Sequence, residues 1–275
     1  MMSKLKRVVK PMIIASIRRL QKHPRLSQGL DSLCVAIHQV HTNFNYDHET
    51  NGERWLLEKL TRNNVLRTAF DVGANQGDWT GLLLRLNPSA RVHCFEISPP
   101  TFEKLRTRVG AVPNVTLNPV GLSDGPGEVN LAYSSDADGL SSIVEIVCPA
   151  NSQSIKAQVT TGQLYCSQHR VTQIDMLKID VEGAEHLVLK GFGDLLRPNL
   201  ISVVQFEYGM VNIASRFLLR DFYELFTGRG YRVGKLYPDF VRFRPYRFED
   251  EDFRGPNFVA ASPAIATLLG DETRV

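Results

Sequence analysis

The residues around position 70 stand in an order that suits a small-molecule site. Asp71 ends a short apolar segment, and Gly73 and Gly77 follow it closely. Glycine lacks a Cβ, so the backbone can bend sharply there and come close to a ligand. The first N–H groups of a helix that begins after Gly77 can receive an electronegative group. The segment therefore predicts a strand, a glycine turn and a helix that together hold a small ligand.

The residues of this turn and their spacing favour one kind of ligand over another. A dinucleotide-binding turn has a glycine pressed against the pyrophosphate, where this chain has Asn75. Asn75 would obstruct a pyrophosphate, and Asp71 would repel one. An acid here suits a ligand with a cation and hydroxyls, such as S-adenosylmethionine, which carries an ammonium, a sulfonium and a ribose. The alternative is an ordinary strand–turn–helix corner in which Asp71 caps the turn.

A second acid, Glu96, follows the next apolar segment, 91–95. An acid at the end of the second strand, about 20 residues after the glycine turn, is the usual ligand of ribose hydroxyls. A carboxylate can accept hydrogen bonds from two of them. Alone, Glu96 would more often be a solvated strand end. Its spacing from the glycine turn favours the ribose role.

Three further acids follow two predicted strands in the second half of the chain. Asp180 and Glu182 come after the first of these strands, and Glu207 comes after the second. Ligands of open α/β sheets bind at the carboxyl ends of the strands. We therefore expect these acids to face the same crevice as Asp71 and Glu96. A helix N-cap is the alternative role for Asp180.

The elements that must position these residues follow from apolar periodicity and turn residues. Residues 134–154 are small and polar, and predict a long flexible segment of the kind that contacts substrate. No repeat or linker divides residues 50–262, which predicts one domain. The predicted strands lie at 69–72, 91–95, 114–120, 128–133, 158–161, 176–179, 201–206, 231–236 and 258–261. The predicted helices lie at 50–62 (opened by a capping box), 78–86, 98–109, 183–189 and 217–227.

Composition excludes several classes of protein. The four cysteines are scattered without a Cys-x-x-Cys pair, which argues against a zinc site and a disulfide framework and fits a reducing, cytoplasmic setting. No apolar run approaches the ~20 residues that span a bilayer. The net charge of +3 comes from the first 25 residues, which hold eight Lys and Arg and no acid. The mildly acidic remainder predicts no nucleic-acid surface.

The basic amino-terminal region, 1–49, is predicted to be a helical extension of the domain. Residues 4–22 place apolar side chains at helical spacing opposite a basic face, with Pro11 as an interruption. This pattern is typical of a helix on an anionic membrane surface, and equally of a packed helix with a solvated basic face. An organellar presequence is a third alternative. Residues 263–275 are predicted to form a tail.

Two motifs together resemble the FkbM family of S-adenosylmethionine-dependent methyltransferases. They are Phe-Asp-Val-Gly-Ala-Asn-Gln-Gly-Asp at 70–78 and Leu-Lys-Ile-Asp-Val-Glu-Gly-Ala-Glu at 177–185. Asn-Gly-Glu at 51–53, Gly-Leu-Ser-Ser at 139–142 and Leu-Lys-Gly at 189–191 are similar to that family's pattern too. The resemblance covers roughly residues 50–260. It implies a class I methyltransferase fold, with a seven-stranded, mostly parallel sheet, an antiparallel final strand and helices on both faces.

The resemblance also implies a reaction, which is methyl transfer to a hydroxyl oxygen of a sugar, a glycan or a polyketide. Asp124, in the loop after the third strand, would meet the adenine of the cofactor, and a simple turn aspartate is its alternative role. The partner would be a small molecule or a glycan. The methionine end of the cofactor would lie against Asp71, Gly73, Ala74, Asn75 and Gly77, and its ribose against Glu96.

An alcohol becomes a good nucleophile as its proton leaves, so a general base is expected. The candidates are Asp180, Glu182 and Glu207, with His186 as a further possibility, and Asp180 and Glu207 are the favoured pair. The carboxylates could instead hold a divalent cation that activates the hydroxyl. Two rival functions are a noncatalytic binding protein, which the intact glycine turn disfavours, and a nicotinamide oxidoreductase, which Asn75 disfavours.

Overall fold

The computed structural model describes residues 11, 14–19, 22–133 and 153–270. The chain divides into two compact units, residues 1–44 and 45–275. In the first unit, residues 14–19 are helical and exposed, and helix α1 spans Pro24–Thr42. Most of the predicted helix over 4–22 lies outside the described residues. None of the helices within the described ranges is long and apolar enough to cross a bilayer.

The second unit alternates strands with helices, as the sequence predicts. Its strands are β1 Thr68–Val72, β2 Arg91–Phe95, β3 Val115–Asn118, β4 Gly121–Leu122, β5 Gly127–Tyr133, β6 Gln153–Thr160, β7 Ile174–Ile179, β8 Ile201–Glu207, β9 Arg232–Tyr237, β10 Phe240–Phe243 and β11 Asn257–Ala261. Its helices are α2 Glu53–Arg62, α3 Asp78–Leu86, α4 Pro99–Val109, α5 Gly162–His169, α6 Glu185–Phe192, α7 Val211–Ser215, α8 Leu219–Thr227 and α9 Pro263–Leu269.

Eight strands form the main sheet in the order β10-β9-β11-β8-β7-β1-β2-β3. Strands β3, β2, β1, β7 and β8 are parallel to their neighbours in that run. Strand β11 is the last in the chain and lies antiparallel between β8 and β9. The predicted mostly parallel sheet with an antiparallel final strand is therefore confirmed.

The strand count differs by one from the predicted seven. The extra strand, β10, pairs antiparallel with β9 at the edge of the sheet. It is only four residues long, and Pro238 and Pro245 stand close to its two ends. Prolines this close signal turns, so the sequence pattern hides the strand.

A smaller sheet of three strands has the order β4-β6-β5. Strands β5 and β6 pair antiparallel from Gly127–Val159 to Tyr133–Gln153. The strand predicted at 158–161 is therefore the end of a longer one. The predicted flexible segment, 134–154, lies outside the described residues except for its last two, which belong to β6.

Each face of the main sheet carries its own hydrophobic core. Leucines of α2, α3, α4 and α9 pack on one face with Ala69, Met176 and Val203 of the strands. Side chains of α5, α6 and α8 pack on the other face with Phe70 and Phe206. Neighbouring residues of a strand point to opposite faces, so these buried strands read as continuous apolar runs. The predicted helices on both faces are confirmed.

The start of α2 differs from the predicted capping box. Gly52 is the N-cap residue, and the Thr50 hydroxyl donates to Asp47 Oδ2 at 2.8 Å. The side chain of Asn51 instead accepts from the Glu53 N–H at 2.9 Å and donates to Glu53 Oε2 at 3.0 Å. These two bonds hold the Glu53 carboxylate at the first turn of the helix.

Candidate active site

The predicted site residues lie at one edge of the main sheet. The strand order reverses between β1 and β7, because the chain adds β2 and β3 on one side and β7 and β8 on the other. Crevices at the carboxyl ends of strands at such a switch point hold ligands in open α/β sheets. Glu96 follows β2, Asp180 follows β7 and Glu207 ends β8, so all three lie at this edge.

The glycine turn after β1 is tied to both neighbouring strands. The N–H groups of Gly73 and Ala74 both donate to the Phe95 carbonyl oxygen at 3.0 Å. Gly73 has a φ of +79°, and a Cβ built there would lie 1.8 Å from the Asp180 carbonyl oxygen. Only glycine fits this position. The turn ends at Gly77, which begins α3 with a φ of +87°.

Asn75 lies in this turn with a φ of +49°, a conformation that asparagine tolerates better than most residues. Its N–H donates to Glu96 Oε2 at 2.9 Å. Its side-chain Oδ1 is buried and accepts no hydrogen bond from the described residues. A buried acceptor without a donor is costly, so this oxygen suits a ligand that brings an ammonium or a hydroxyl.

Glu96 is buried and joins the turn to the chain beyond β2. Its Oε1 accepts from the Ser98 N–H at 2.8 Å, and its Oε2 accepts from Asn75. Burial raises the pKa of Glu96 to about 7, although both N–H groups oppose the shift. Glu96 is only 7% exposed, so it is not a solvated strand end. Each oxygen keeps a lone pair that a hydroxyl could use.

Asp71 is fully buried, and its predicted contact with the methionine end of the cofactor stays a prediction. Its Oδ2 accepts from the Thr80 hydroxyl at 2.7 Å, and its Oδ1 lies 3.5 Å from Nζ of Lys178. Burial raises the pKa of Asp71, and Lys178 and Thr80 oppose that shift. Asp71 therefore supports the site from behind, through Lys178.

Lys178 is a residue that sequence reasoning missed. It lies one residue before the end of β7, paired with Asp71 on one side and Gln205 on the other, and its Nζ donates to Asp180 Oδ2 at 3.1 Å. Burial lowers the pKa of Lys178, but the carboxylates of Asp180, Asp71 and Glu53 outweigh it and the net shift is upward. A lysine is rarely buried without a partner. The presence of Lys178 within an apolar strand was therefore the signal in the sequence that it pairs with a buried acid.

Further polar side chains continue from Lys178 across the same face. Gln205 Nε2 donates to Asn257 Oδ1 at 3.0 Å and to Glu53 Oε1. We call this set of buried side chains, on β1, β7, β8 and β11 and at the start of α2, the polar row. Because its members hold one another in place beneath α2, the position of Lys178, and with it that of Asp180, is fixed. The polar row consists of Asp71, Lys178, Gln205, Asn257, Glu53 and Asn51.

Four acids at the ends of β7 and β8, Asp180, Glu182, Glu185 and Glu207, form what we call the carboxylate cluster. Burial, then the negative charges of Asp180 and Glu182, raise the pKa of Glu207 well above its ordinary value. Burial, Asp180 and Glu185 raise the pKa of Glu182 to about 8. The structure thus brings together the three acids predicted to share one crevice. Glu182 has a φ of +54°, and such strain is typical of functional sites.

Glu185 closes the turn between β7 and α6. Its Oε1 accepts from the N–H groups of Val181 at 3.2 Å and Gly183 at 3.1 Å. Burial raises the pKa of Glu185 to about 7, and these N–H groups oppose the shift. The N-cap of α6 is Ala184, so the alternative role of Asp180 as a helix N-cap is wrong.

Comparison with known families covers most of this site. Residues 71–233 match the methyltransferase FkbM domain. This chain belongs to the FkbM methyltransferase family. The match includes Lys178 and the carboxylate cluster, whereas Glu53 and Asn257 of the polar row lie outside it.

Two curated relatives of this FkbM-domain protein are methyltransferases. The 2-O-methyltransferase NoeI of Sinorhizobium fredii is 28% identical over 44% of this chain and 56% of its own length. The hexuronic acid methyltransferase AglP of Haloferax volcanii is 30% identical over 57% of this chain and 62% of its own length. The FkbM methyltransferase of Methylobacillus flagellatus KT has a solved structure that aligns with a TM-score of 0.46, at 14% identity over 71% of this chain and 44% of that one.

The remaining predicted residues of this FkbM domain lie around helix α6. The His186 ring stacks on Phe217 with 5.1 Å between centroids, and burial lowers its pKa. Asp124 accepts a hydrogen bond from Lys190 Nζ at 2.6 Å. The predicted contact of Asp124 with an adenine stays a prediction.

Metal coordination was the open alternative for the carboxylate cluster. Within the described residues of this FkbM domain, no group of three or more His, Cys, Asp or Glu side chains is arranged to hold a metal ion. The cluster instead places Lys178 beside its acids, at 3.1 Å from Asp180.

Proposed function

We propose that this protein is an S-adenosylmethionine-dependent O-methyltransferase that acts on a hydroxyl of a sugar or glycan. One observation carries the proposal: the glycine turn with Glu96 and the carboxylate cluster lie at the same edge of the main sheet. The first can hold a methyl donor, and the second can take a proton from an acceptor. The name of one curated relative, a 2-O-methyltransferase, supports transfer to an oxygen, and that of the other, a hexuronic acid methyltransferase, supports a sugar acceptor.

The residues present fit this cofactor. The buried Oδ1 of Asn75 accepts no hydrogen bond from the described residues and suits a donor such as the cofactor's ammonium. The Glu96 carboxylate suits the ribose hydroxyls. When bound, S-adenosylmethionine supplies an electrophilic methyl group on a sulfonium cation. The residues that would hold it are Gly73, Ala74, Asn75, Gly77 and Glu96, with Asp124 toward the adenine.

Glu207 is the general base in this proposal. The acceptor hydroxyl must lose its proton as the new carbon–oxygen bond forms. A carboxylate whose pKa is raised accepts a proton more readily once it is ionised. The pKa of Glu207 is raised by burial and by the negative charges of Asp180 and Glu182. Since these acids interact strongly, they titrate as a group.

Asp180 orients the acceptor in this proposal, and Lys178 orients Asp180. The Asp180 side chain is 30% exposed, whereas that of Lys178 is 9% exposed. Asp180 can therefore meet a substrate hydroxyl while Lys178 holds it from inside the sheet. Positioning of this kind supplies a large part of the rate when a nucleophile must align with a methyl carbon.

The direct test is methyl transfer to a panel of monosaccharides and uronic acids from isotope-labelled S-adenosylmethionine, read by mass spectrometry. We expect one methyl group on a hydroxyl of at least one acceptor. Glu207→Gln should lower kcat by about a hundredfold or more, since a general base contributes that much. The control is Glu224→Gln, because Glu224 is 71% exposed on α8. Cofactor binding without transfer to any hydroxyl would contradict the proposal and favour a noncatalytic binding protein.

A further inference from the structure

A cavity lies at the opposite edge of the main sheet from the candidate active site, where the parallel strands begin. It has a volume of about 680 Å³, and its walls include Thr68 at the start of β1, Arg91 at the start of β2 and Ser202 near the start of β8. Small-molecule sites usually occupy about 300–1,000 Å³. Strands of five residues rise about 15 Å, so this cavity is separate from the candidate active site.

The lining of this cavity is positively charged. Arg67, Arg91 and Arg170 line it, together with the single carboxylate of Asp175. Asp175 Oδ2 already accepts from the N–H groups of Arg67 at 2.8 Å and Thr68 at 2.9 Å. Among the described residues, none of the three arginines forms an ion pair with a carboxylate. The cavity therefore holds more positive than negative charge.

Arg91 is held in place at the cavity wall. Its Nη2 donates to Thr68 Oγ1 at 3.1 Å, which leaves its other N–H groups for a ligand. A guanidinium matches the geometry of a phosphate, sulfate or carboxylate by donating two parallel hydrogen bonds. A guanidinium held in this way loses less side-chain entropy when an anion binds.

Two histidines, His93 and His169, also line the cavity, and the positive charge of the lining affects the pKa of His93. His93 Nδ1 lies 2.8 Å from the Tyr165 hydroxyl. The ring of His169 stacks on the ring of Tyr165, with centroids 4.1 Å apart. Burial lowers the pKa of His93 to about 4, and the positive charges of His169 and Arg91 add to that shift. His93 is thus neutral at physiological pH, and the arginines around it favour an anion.

The uncharged part of the lining suits a polyhydroxylated ligand. Thr116, Thr172, Gln173 and Ser202 supply hydroxyls and an amide, which can both donate to and accept from sugar hydroxyls. Val65, Val171 and Ile265 on the same walls are apolar and can cover the carbon face of a sugar ring.

We propose that this cavity binds a sugar that carries an anionic group, of the sugar-phosphate class. The arginines would bind the anion, and the hydroxyl and amide side chains would bind the sugar. The proposal does not rest on methyl transfer, because none of these residues belongs to the candidate active site.

Calorimetric titration of the full chain with glucose 6-phosphate, inorganic phosphate and glucose tests it. We expect glucose 6-phosphate to bind with a millimolar or lower Kd, phosphate to bind more weakly, and glucose not to bind. Arg91→Gln and Arg170→Gln should each weaken glucose 6-phosphate binding about tenfold, the loss of one charge-assisted hydrogen bond. The control is Arg62→Gln, since Arg62 is 76% exposed on α2, outside the cavity.

Three outcomes would overturn the proposal. They are no binding of glucose 6-phosphate, equal binding of phosphate and glucose 6-phosphate, and unchanged binding in folded Arg91→Gln protein. If the variants do not fold, the ring signals of His169 in the wild type provide a second measurement by NMR. We expect glucose 6-phosphate to shift them, and unshifted signals at saturating ligand would contradict the site. None of these binding measurements depends on methyl transfer. Failure of this proposal is therefore distinguishable from failure of the proposed function.

Discussion

Nζ of Lys178 lies 3.5 Å from Oδ1 of Asp71, on a buried face of the main sheet. The two residues are register partners on adjacent parallel strands, so their side chains point to the same face. Lys178 also reaches Asp180 at the edge of the sheet, 3.1 Å away. This one lysine therefore connects a fully buried acid to an acid of the candidate active site.

Replacing Lys178 by methionine should lower the free energy of unfolding by about 3–5 kcal/mol, the usual effect of breaking a buried ion pair. The reason is that Asp71 would remain buried without its cation. Denaturant unfolding measures the change. The control is Lys156→Met, because Lys156 is 76% exposed and its surface ion pair contributes little.

The double variant Asp71→Asn, Lys178→Met separates the ion pair from packing. Removing both charges should recover part of the stability lost in Lys178→Met, because no unpaired charge stays buried. If the two single losses simply add in the double variant, Asp71 and Lys178 are not coupled and the polar row is misassigned.

The proposed methyl transfer should become slower as pH falls through the neutral range. Burial and neighbouring acids raise the pKa of Glu182 to about 8 and that of Glu207 well above its ordinary value, so the carboxylate cluster holds a proton at low pH. A protonated cluster cannot accept the hydroxyl proton. We expect kcat/KM to rise with pH up to about 8. Glu182→Gln should move the inflection to lower pH, because Glu207 loses a negative neighbour, whereas an inflection near 4.5 in the wild type would contradict this assignment.

Stability should fall as pH rises, in the window between about 4.5 and 7. The folded protein raises the pKa of Glu185 from 4.5 to about 7, so in this window the folded state binds more protons than the unfolded state. Stability gained at low pH is then lost as Glu185 ionises inside the protein. Glu185→Gln should reduce the change in the free energy of unfolding across this pH window by on the order of 3 kcal/mol. Urea unfolding at several pH values measures it, and an unchanged slope in the variant would rule out Glu185 as the cause.

Gly73→Ala should destabilise the protein by at least about 2 kcal/mol, as overpacking and a strained backbone usually do. The added methyl group would collide with the Asp180 carbonyl oxygen, 1.8 Å away. Gly125→Ala is the matched control, because a Cβ there meets no atom within 4 Å. Thermal unfolding of both variants provides the comparison. Equal stability of the two would show that the glycine turn does not pack on β7 as described.

The sequence predicted most elements because local signals mark them. Helix α3 spans Asp78–Leu86, as predicted from Gly77 before it and Pro88 after it. Strand ends were predicted less well. Strand β6 begins at Gln153, whereas the prediction placed its start at 158 and did not use the alternation of Ile155, Ala157 and Val159 with polar residues. Acids at strand ends were found for the same local reason, since a polar residue after an apolar run is visible in the chain itself.

The polar row could not be predicted, because its contacts depend on sheet register. Glu53 and Gln205 are 152 positions apart in the chain, and each alone resembles a surface residue. Register also decides that Asp71 and Lys178 lie side by side on one buried face. A strand shows which residues alternate, but only its pairing shows which partners they meet.

Calorimetric titration of the folded protein with S-adenosylmethionine tests the central claim most directly. We predict one binding site, and about tenfold weaker binding in Glu96→Gln, which loses a charged acceptor at the ribose. Glu103→Gln is the control, because Glu103 is 59% exposed on α4. Absence of binding at millimolar cofactor, with the protein shown to be folded, would contradict the assignment of this edge of the sheet as a methyltransferase site.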